Sequence, residues 1–336
     1  MNFLERSFRL EAPSGLGAKP RPELIGPVLA HLHDTLQDAV RMGFLHSSRA
    51  RGRIPSGIKA AAEVRYLGHS LDTDEATLLR FEVLPFGEAA EELFAQTQLW
   101  EDGPRPEDTA FELFGAALDD VGMQRKESNR YDPNMLRRIA GYRRLFSKGG
   151  LRRIVIPDTT LATQPLLDAS ITNAARVLCD ATPKPRRVRM SGRLDLIGAS
   201  QGVLKVHVGK GSVVAALWEG KESINELVAL FNRDVVCEGT AVFRPSGSLL
   251  RVDIDVIALA TATDVAFAYV PQAIPIADLA RSMRLRPNDT PTYSTFLSSV
   301  PAEESDDSFA AAVALVATQT PPPMATSNSP TLTVLR

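Results

Sequence analysis

Val188-Arg189-Met190-Ser191-Gly192-Arg193-Leu194-Asp195-Leu196 alternates apolar or small residues with polar ones along its whole length. A period of two marks a strand with one buried face. Two further runs of the same kind follow, Val203 to Val208 and Ser212 to Trp218. Ile224, Leu227, Val228 and Phe231 then fall at helical spacing. Val235 to Arg244 and Leu249 to Ala258 alternate again, joined by the turn Arg244-Pro245-Ser246-Gly247. The pattern predicts five strands over 186–260, with one helix over 222–232 between the third and the fourth.

Alternation also assigns faces. On the first strand Val188, Met190, Leu194 and Leu196 are expected inside, and Arg189, Ser191, Arg193 and Asp195 outside. On the second, Leu204, Val206 and Val208 go in, while Lys205 and His207 go out. Arg189, Arg193, Lys205 and His207 therefore share one outer face. Residues 183–260 hold eleven Lys and Arg against eight Asp and Glu, which makes this face a candidate binding surface for an anion.

Strand-strand-strand-helix-strand-strand is the order of the OB-fold, a small Greek-key barrel that binds oligonucleotides and oligosaccharides. The segment from Val236-Cys237-Glu238-Gly239-Thr240 through Arg244-Pro245-Ser246-Gly247 to Leu250-Arg251-Val252-Asp253-Ile254-Asp255 resembles the last hairpin of OB-fold modules in bacterial DNA-processing proteins, such as the exonuclease VII large subunit. The resemblance covers about 70 residues and implies a nucleic-acid ligand. Single-strand binders stack bases on aromatic side chains. This region offers only Trp218, Phe231 and Phe243, with Phe243 expected inside beside Cys237 and Ala241, and Phe231 on the helix.

Outward from the barrel, residues 1–150 read as a mixed α+β domain. Phe8 and Leu10 share one face of a strand over 7–11. Leu24, Val28, Leu32, Leu36, Ala39 and Val40 fit a helix over 22–47. Strands are expected over 62–69 and 77–84, and helices over 87–99 and 106–122. Asp132-Pro133 is an N-cap followed by a proline at the first helical position, opening a helix to about Ser147. Residues 151–182 read as a connecting strand (151–156) and helix (165–179). Residues 261–295 read as a linker, 296–316 as an acidic amphipathic tail helix, and 317–336 as disordered. The fold class is α+β: a mixed domain, a five-stranded OB-like barrel and a flexible tail.

A second basic set lies in the helix over 132–147, where Arg137, Arg138, Arg143 and Arg144 flank the apolar stripe of Leu136, Ile139, Ala140 and Leu145. Residues 125–153 carry ten basic residues against two acidic ones. Such a surface either tracks phosphates or docks an acidic partner. Its alternative is internal pairing with the acidic stretch Glu88 to Asp120.

The tail combines Phe296 and Phe309 with Glu303, Glu304, Asp306 and Asp307. It resembles C-terminal tails of bacterial antitoxins encoded beside PIN-type nucleases. The whole chain also resembles a bacterial family that joins a mixed domain, a barrel and an acidic tail. That resemblance implies a nuclease as partner.

Signals for catalysis are sparse. His31 and His33 stand two apart on one helix and so point to different faces. No helix offers histidines four apart, so no metal site is expected. Ser14-Gly15-Leu16-Gly17-Ala18-Lys19 lacks the spacing of a phosphate-binding loop. Gly198-Ala199-Ser200-Gln201-Gly202 matches the letters of a nucleophile elbow, but a strand and not a helix follows it, so it reads as a hairpin loop. No cofactor is expected.

With 336 residues, 44% hydrophobic and 23% charged, the composition is that of a globular protein. A net charge of −2 gives no bulk electrostatic case for nucleic acid or membrane. No apolar run approaches the roughly 18 residues that span a bilayer. The first residues show no signal peptide, and Cys179 and Cys237 lack metal spacing, so a cytoplasmic protein with free thiols is expected. The leading expectation is a non-enzymatic binding protein acting on nucleic acid or a protein partner. The alternatives are an antitoxin-like regulator and an enzyme with a site in residues 1–150.

Overall fold

Leu4–Glu11 (β1) sits at the centre of the first sheet, because its alternate residues Phe8 and Leu10 are fully buried. The computed structural model describes residues 2–12, 22–49, 55–73, 76–92, 94, 103–147, 150–198, 202–209, 211–220 and 224–275. The tail read over 296–316, with Phe296, Glu303, Glu304, Asp306, Asp307 and Phe309, and the segment 317–336 lie outside the described residues. The molecule is α+β and contains a closed five-stranded barrel.

The first sheet has the order β2-β3-β1-β4-β5, with β2 Val64–Thr73, β3 Ala76–Val83, β4 Arg153–Val155 and β5 Leu166–Asp168. Every neighbouring pair is antiparallel. The helices on this sheet include α1 Pro22–Leu45, α2 Ser56–Ala61, α3 Phe86–Ala89, α4 Ala110–Gly122, α5 Pro133–Gly141, α6 Arg143–Ser147 and α7 Ala169–Ala181. Val28, Leu32, Leu36, Ala39 and Val40 of α1 are buried, as the helical period requires. Phe8, Phe81 and Phe111 join sheet to helix, with ring centroids 5.1–5.9 Å apart.

Local chemistry corrects several boundaries. Leu166–Asp168 is a strand and not the first turn of a helix, because the Asp168 carboxylate accepts from the backbone of Ser170 and Ile171 and starts α7 there. The segment 151–182 is more than a connection, since it supplies two strands of the sheet and a helix that packs on α5 and α4. The helix expected over 132–147 breaks at Tyr142 into α5 and α6.

The barrel comprises β6 Arg186–Gly198, β7 Val203–Val208, β8 Ser212–Trp218, α8 Ile224–Val228, β9 Asp234–Phe243 and β10 Leu249–Leu259. Its closed order is β10-β8-β7-β6-β9, and β8 and β10 run parallel. This barrel is compatible with an OB-like fold. Met190, Leu194, Leu204, Val206, Cys237, Ala241, Phe243, Val252 and Ile254 fill its interior. Gly239 holds an inward position of β9 where only hydrogen fits, because a Cβ there would stand 2.2 Å from the Asp253 carbonyl oxygen. A bulge between Leu194 and Leu196 reverses the alternation. Ile197 therefore pairs with Leu204 and packs on the interior, while Leu196 pairs with Lys205 and turns outward, contrary to the strict period. The helix ends at Val228 and not at 232, and Asn232 at φ 58 lets the following turn enter β9.

Residues 262–267, read as the start of a linker, form a 3-10 turn against β6. Ser191 donates to the Asp264 carbonyl (2.7 Å) and is buried beneath it. Sheet and barrel belong to one compact unit.

Candidate binding surface

The sheet side of the molecule covers half of the barrel's outer wall. Val203 and Leu217 pair across β7 and β8, face outward, and are buried in the hydrophobic cluster of the first sheet. Arg251 of β10 faces outward beside them, and its side chain is only 6% exposed. It is held by Asp253 (2.7 Å), the His46 carbonyl (2.9 Å) and Asp132 (3.5 Å).

Asp132 joins three parts of the chain. It caps α5 through the backbone N–H groups of Asn134 and Met135, both at 3.0 Å. It accepts from the Ser48 backbone (3.1 Å) and hydroxyl (2.6 Å), just beyond α1. It also faces Arg251 of the barrel. The cap was legible in Asp132-Pro133; the other contacts were not, because their partners lie 84 and 119 residues away. Nearby, Arg244 reaches Asn129 (3.1 Å) and Ser248 reaches Glu127 (2.6 Å). Hydrogen bonds from Ser246 and Ser248 hold the Glu127 carboxyl below the usual range.

The other half of the wall is left uncovered by the described residues. Val213 of β8 pairs with His207 of β7, His207 with Arg193 of β6, and Arg193 with Asp234 of β9. Paired residues point to the same side. These four side chains therefore form one row across four strands. Arg193 and Asp234 are exposed, as is Val213 at 52%. The backbone that follows Phe231 is tied to β6 beside this row, where the Asn232 N–H donates to the Leu194 carbonyl (2.7 Å) and the Leu194 N–H to the Arg233 carbonyl (3.0 Å). The Phe231 ring lies past the end of α8 and is 52% exposed; Val228 is 58% exposed.

Of the residues read as a basic face, Arg193, Lys205 and His207 share this wall, but their charges are not equally available. His207 Nε2 lies 3.0 Å from the Asp195 carboxylate. Lys205 stands toward the covered half, close enough to lower the pKa of His46. Arg189 is outward but engaged: it pairs with Asp264 (2.8 Å) and Glu238 (3.7 Å) and stacks over Phe267 at 4.9 Å. Asp264 lies in the segment read as linker, so no strand pattern pointed to it.

The second set is split in the same way. Arg138 pairs with Asp34 (2.7 Å) and Asp38 on α1. Arg125 and Arg130 do reach Asp120, at 3.0 and 3.2 Å. Arg137 donates to the Pro133 carbonyl, while Arg143 and Arg144 are exposed.

A cleft of about 550 Å³ opens between α1, α4 and the loops at 103–108 and 160–162. His46, Arg105, Asp108 and Asp120 line it. Asp120 is satisfied by Ser128, Arg125 and Arg130, and Glu112 by Arg6 and the Thr109 cap. Burial raises the Asp108 carboxyl above its ordinary range. Burial, then the cations Arg244, Arg251 and Lys205, lower His46 to about 4. Burial pushes the Cys237 thiol up to about 12, which keeps it protonated and inert. Among the described residues no group of three or more His, Cys, Asp or Glu could hold a metal, and no helix is long and apolar enough to cross a membrane. The residues flanking 199–201 form a hairpin, with Gly202 donating to the Gly198 carbonyl (2.8 Å) between β6 and β7.

Comparison of the chain with protein-family models, with curated proteins and with solved structures finds no match.

Proposed function

We propose that the chain is a non-enzymatic binding protein whose OB-like barrel holds a protein partner along the row Val213–His207–Arg193 and the adjoining Phe231. One observation carries this reading. Val213 is 52% exposed in a row with an exposed arginine, and Val228 and Phe231, on the helix and turn that lead into β9, are also more than half exposed, while neighbouring carboxylates engage Arg189 and His207. Arginine and aromatic side chains are enriched at the centres of protein interfaces, where other charges are depleted. A phosphate-tracking surface instead needs many unpaired cations.

The test is affinity capture with the full chain, with and without nuclease, followed by mass spectrometry. The reading predicts a nuclease-resistant partner that Phe231→Ala and Arg193→Ala both lose. Loss of all bound material on nuclease treatment would refute it.

A second reading keeps single-stranded nucleic acid as the ligand. Arg193, Arg233 and Phe231 are all exposed, and an aromatic ring close to guanidinium groups would stack a base. It requires binding to a labelled oligonucleotide at about 50 mM salt that weakens steeply as salt rises. Absence of such binding removes this reading and leaves the first untouched.

A further inference from the structure

Unpaired cations gather on the helices and not on the barrel. Leu136, Ile139, Tyr142 and Leu145 are buried at every third position, so one buried face runs from α5 through the break at Tyr142 into α6. Arg137, Arg143 and Arg144 fall between these residues and are exposed.

Two further arginines adjoin them. α7 packs on α5, where the Cys179 thiol donates to the Pro133 carbonyl (3.7 Å). Burial raises the Cys179 thiol, and the neighbouring Arg137 guanidinium opposes that shift. Arg176 lies one turn before Cys179 and is exposed. At the other end, the Leu151 N–H donates to the Leu145 carbonyl (3.3 Å), which sets the exposed Arg152 beside α6.

Among the described residues none of these five guanidinium groups pairs with a carboxylate, although Asp180 stands next to Cys179. Arg137 donates to the Pro133 carbonyl (3.1 Å) and Arg176 to the Asn173 amide oxygen (3.1 Å), both neutral. Arginines elsewhere on the surface do pair: Arg80 with Glu5, Arg125 and Arg130 with Asp120, and Arg153 with Glu11.

We propose that α5, α6 and α7 dock the phosphate backbone of duplex DNA. Charge is complementary, and the planar fork of arginine matches phosphate oxygens. Gly141 is exposed between Arg137 and Arg144, and a Cβ there would meet nothing within 4 Å, so a strand can lie close between the two. Single strands need rings to stack on. Here Tyr131 and Tyr142 are buried and Phe146 is half-buried. A duplex hides its bases and offers one negative charge per roughly 1.7 Å of its axis. Double-stranded RNA is recognised partly through its 2′-hydroxyls. Ala140, Gly141 and Val177, which lie among the arginines, carry no side-chain group to bond one. A protein partner would want an apolar centre. Among the described residues of these helices, Val177 is the one large apolar side chain exposed.

Fluorescence anisotropy of a labelled duplex of random sequence, titrated with the full chain, tests this. At about 50 mM salt binding should be micromolar, and log affinity should fall against log salt with a slope of about −4, close to −0.9 per arginine engaged. Arg137→Ser, Arg144→Ser and Arg176→Ser together should flatten that slope by about 2.7 and weaken binding at least about tenfold. The melting temperature should not change, because these side chains are exposed and have no ionic partner. Arg65→Ser with Arg80→Ser removes exposed charge from the first sheet, where Glu63 and Glu5 pair with it, and should alter affinity less than about twofold. Absence of salt-dependent binding, or equal losses from the two sets of variants, would overturn the proposal. So would tighter binding of single strands or of duplex RNA, or displacement of the duplex by polyglutamate as readily as by unlabelled duplex at equal charge. No residue of the barrel row is altered, so the outcome is independent of the partner proposed there.

Discussion

Replacing Asp132 with alanine should destabilise the molecule by about 3–4 kcal/mol, and the sum can be built from its contacts. Loss of the α5 cap, which satisfies two backbone N–H groups, costs about 1 kcal/mol. Ser48 then has a buried backbone donor and a hydroxyl without their acceptor, which costs about 1–3 kcal/mol. Arg251 loses one carboxylate but keeps Asp253 and the His46 carbonyl, so its share falls below the roughly 3–5 kcal/mol of a fully orphaned buried charge. The total is a large part of the 5–15 kcal/mol that typically holds a protein folded. Urea unfolding, followed by circular dichroism, should show the midpoint fall by about 1 M or more. Asp132→Asn keeps an oxygen at the cap and should lose about half as much. A loss below about 1 kcal/mol in the alanine variant would refute the claim that this carboxylate joins α5, the end of α1 and the barrel.

Gly239, His46 and the C-terminal segment give three further outcomes. Gly239→Ala should cost about 3 kcal/mol or more in chemical unfolding, because its Cβ would stand 2.2 Å from a backbone oxygen that cannot move without breaking the ladder. His46 should make stability fall in acid. The unfolded chain protonates this ring near its ordinary 6.5 and the folded chain near 4, so between these values the unfolded state binds more protons. Stability contributed by His46 is present above about pH 6.5 and lost as pH drops toward 4; His46→Asn, which tolerates the positive φ of 54, should flatten that part of the profile in urea titrations at stepped pH. Deleting residues 296–336 should leave the melting temperature within a few degrees yet weaken the partner complex; a truncated chain that unfolds would put that segment in the core.

The barrel was legible because most of each strand keeps a period of two between turn residues. Val188, Met190 and Leu194 on β6, and Cys237, Ala241 and Phe243 on β9, lie where alternation puts them. The period fails at the bulge after Leu194, which a one-residue pattern cannot announce. Leu166 and Leu167 were read as helix because two adjacent leucines suit either element; the Asp168 cap decides the matter. The candidate surface was harder to see. Arg189, Arg193, Lys205 and His207 face outward as alternation expects, but which of them is engaged depends on Asp264, Glu238 and Asp195, and on the sheet side that buries Val203 and Leu217. Those are tertiary contacts with no local signature. Phe231 was assigned to the helix because its spacing from Leu227 and Val228 is helical; the chain leaves the helix first and exposes the ring.

The most direct test of the barrel surface is photo-cross-linking in cells with a benzophenone amino acid at position 231. A barrel surface that holds a protein partner gives a covalent adduct to one protein that survives nuclease treatment, disappears when Arg193→Ala is added, and is absent when the probe sits instead at the exposed Val177 of α7. No adduct at 231, or the same adducts at both positions, would contradict it.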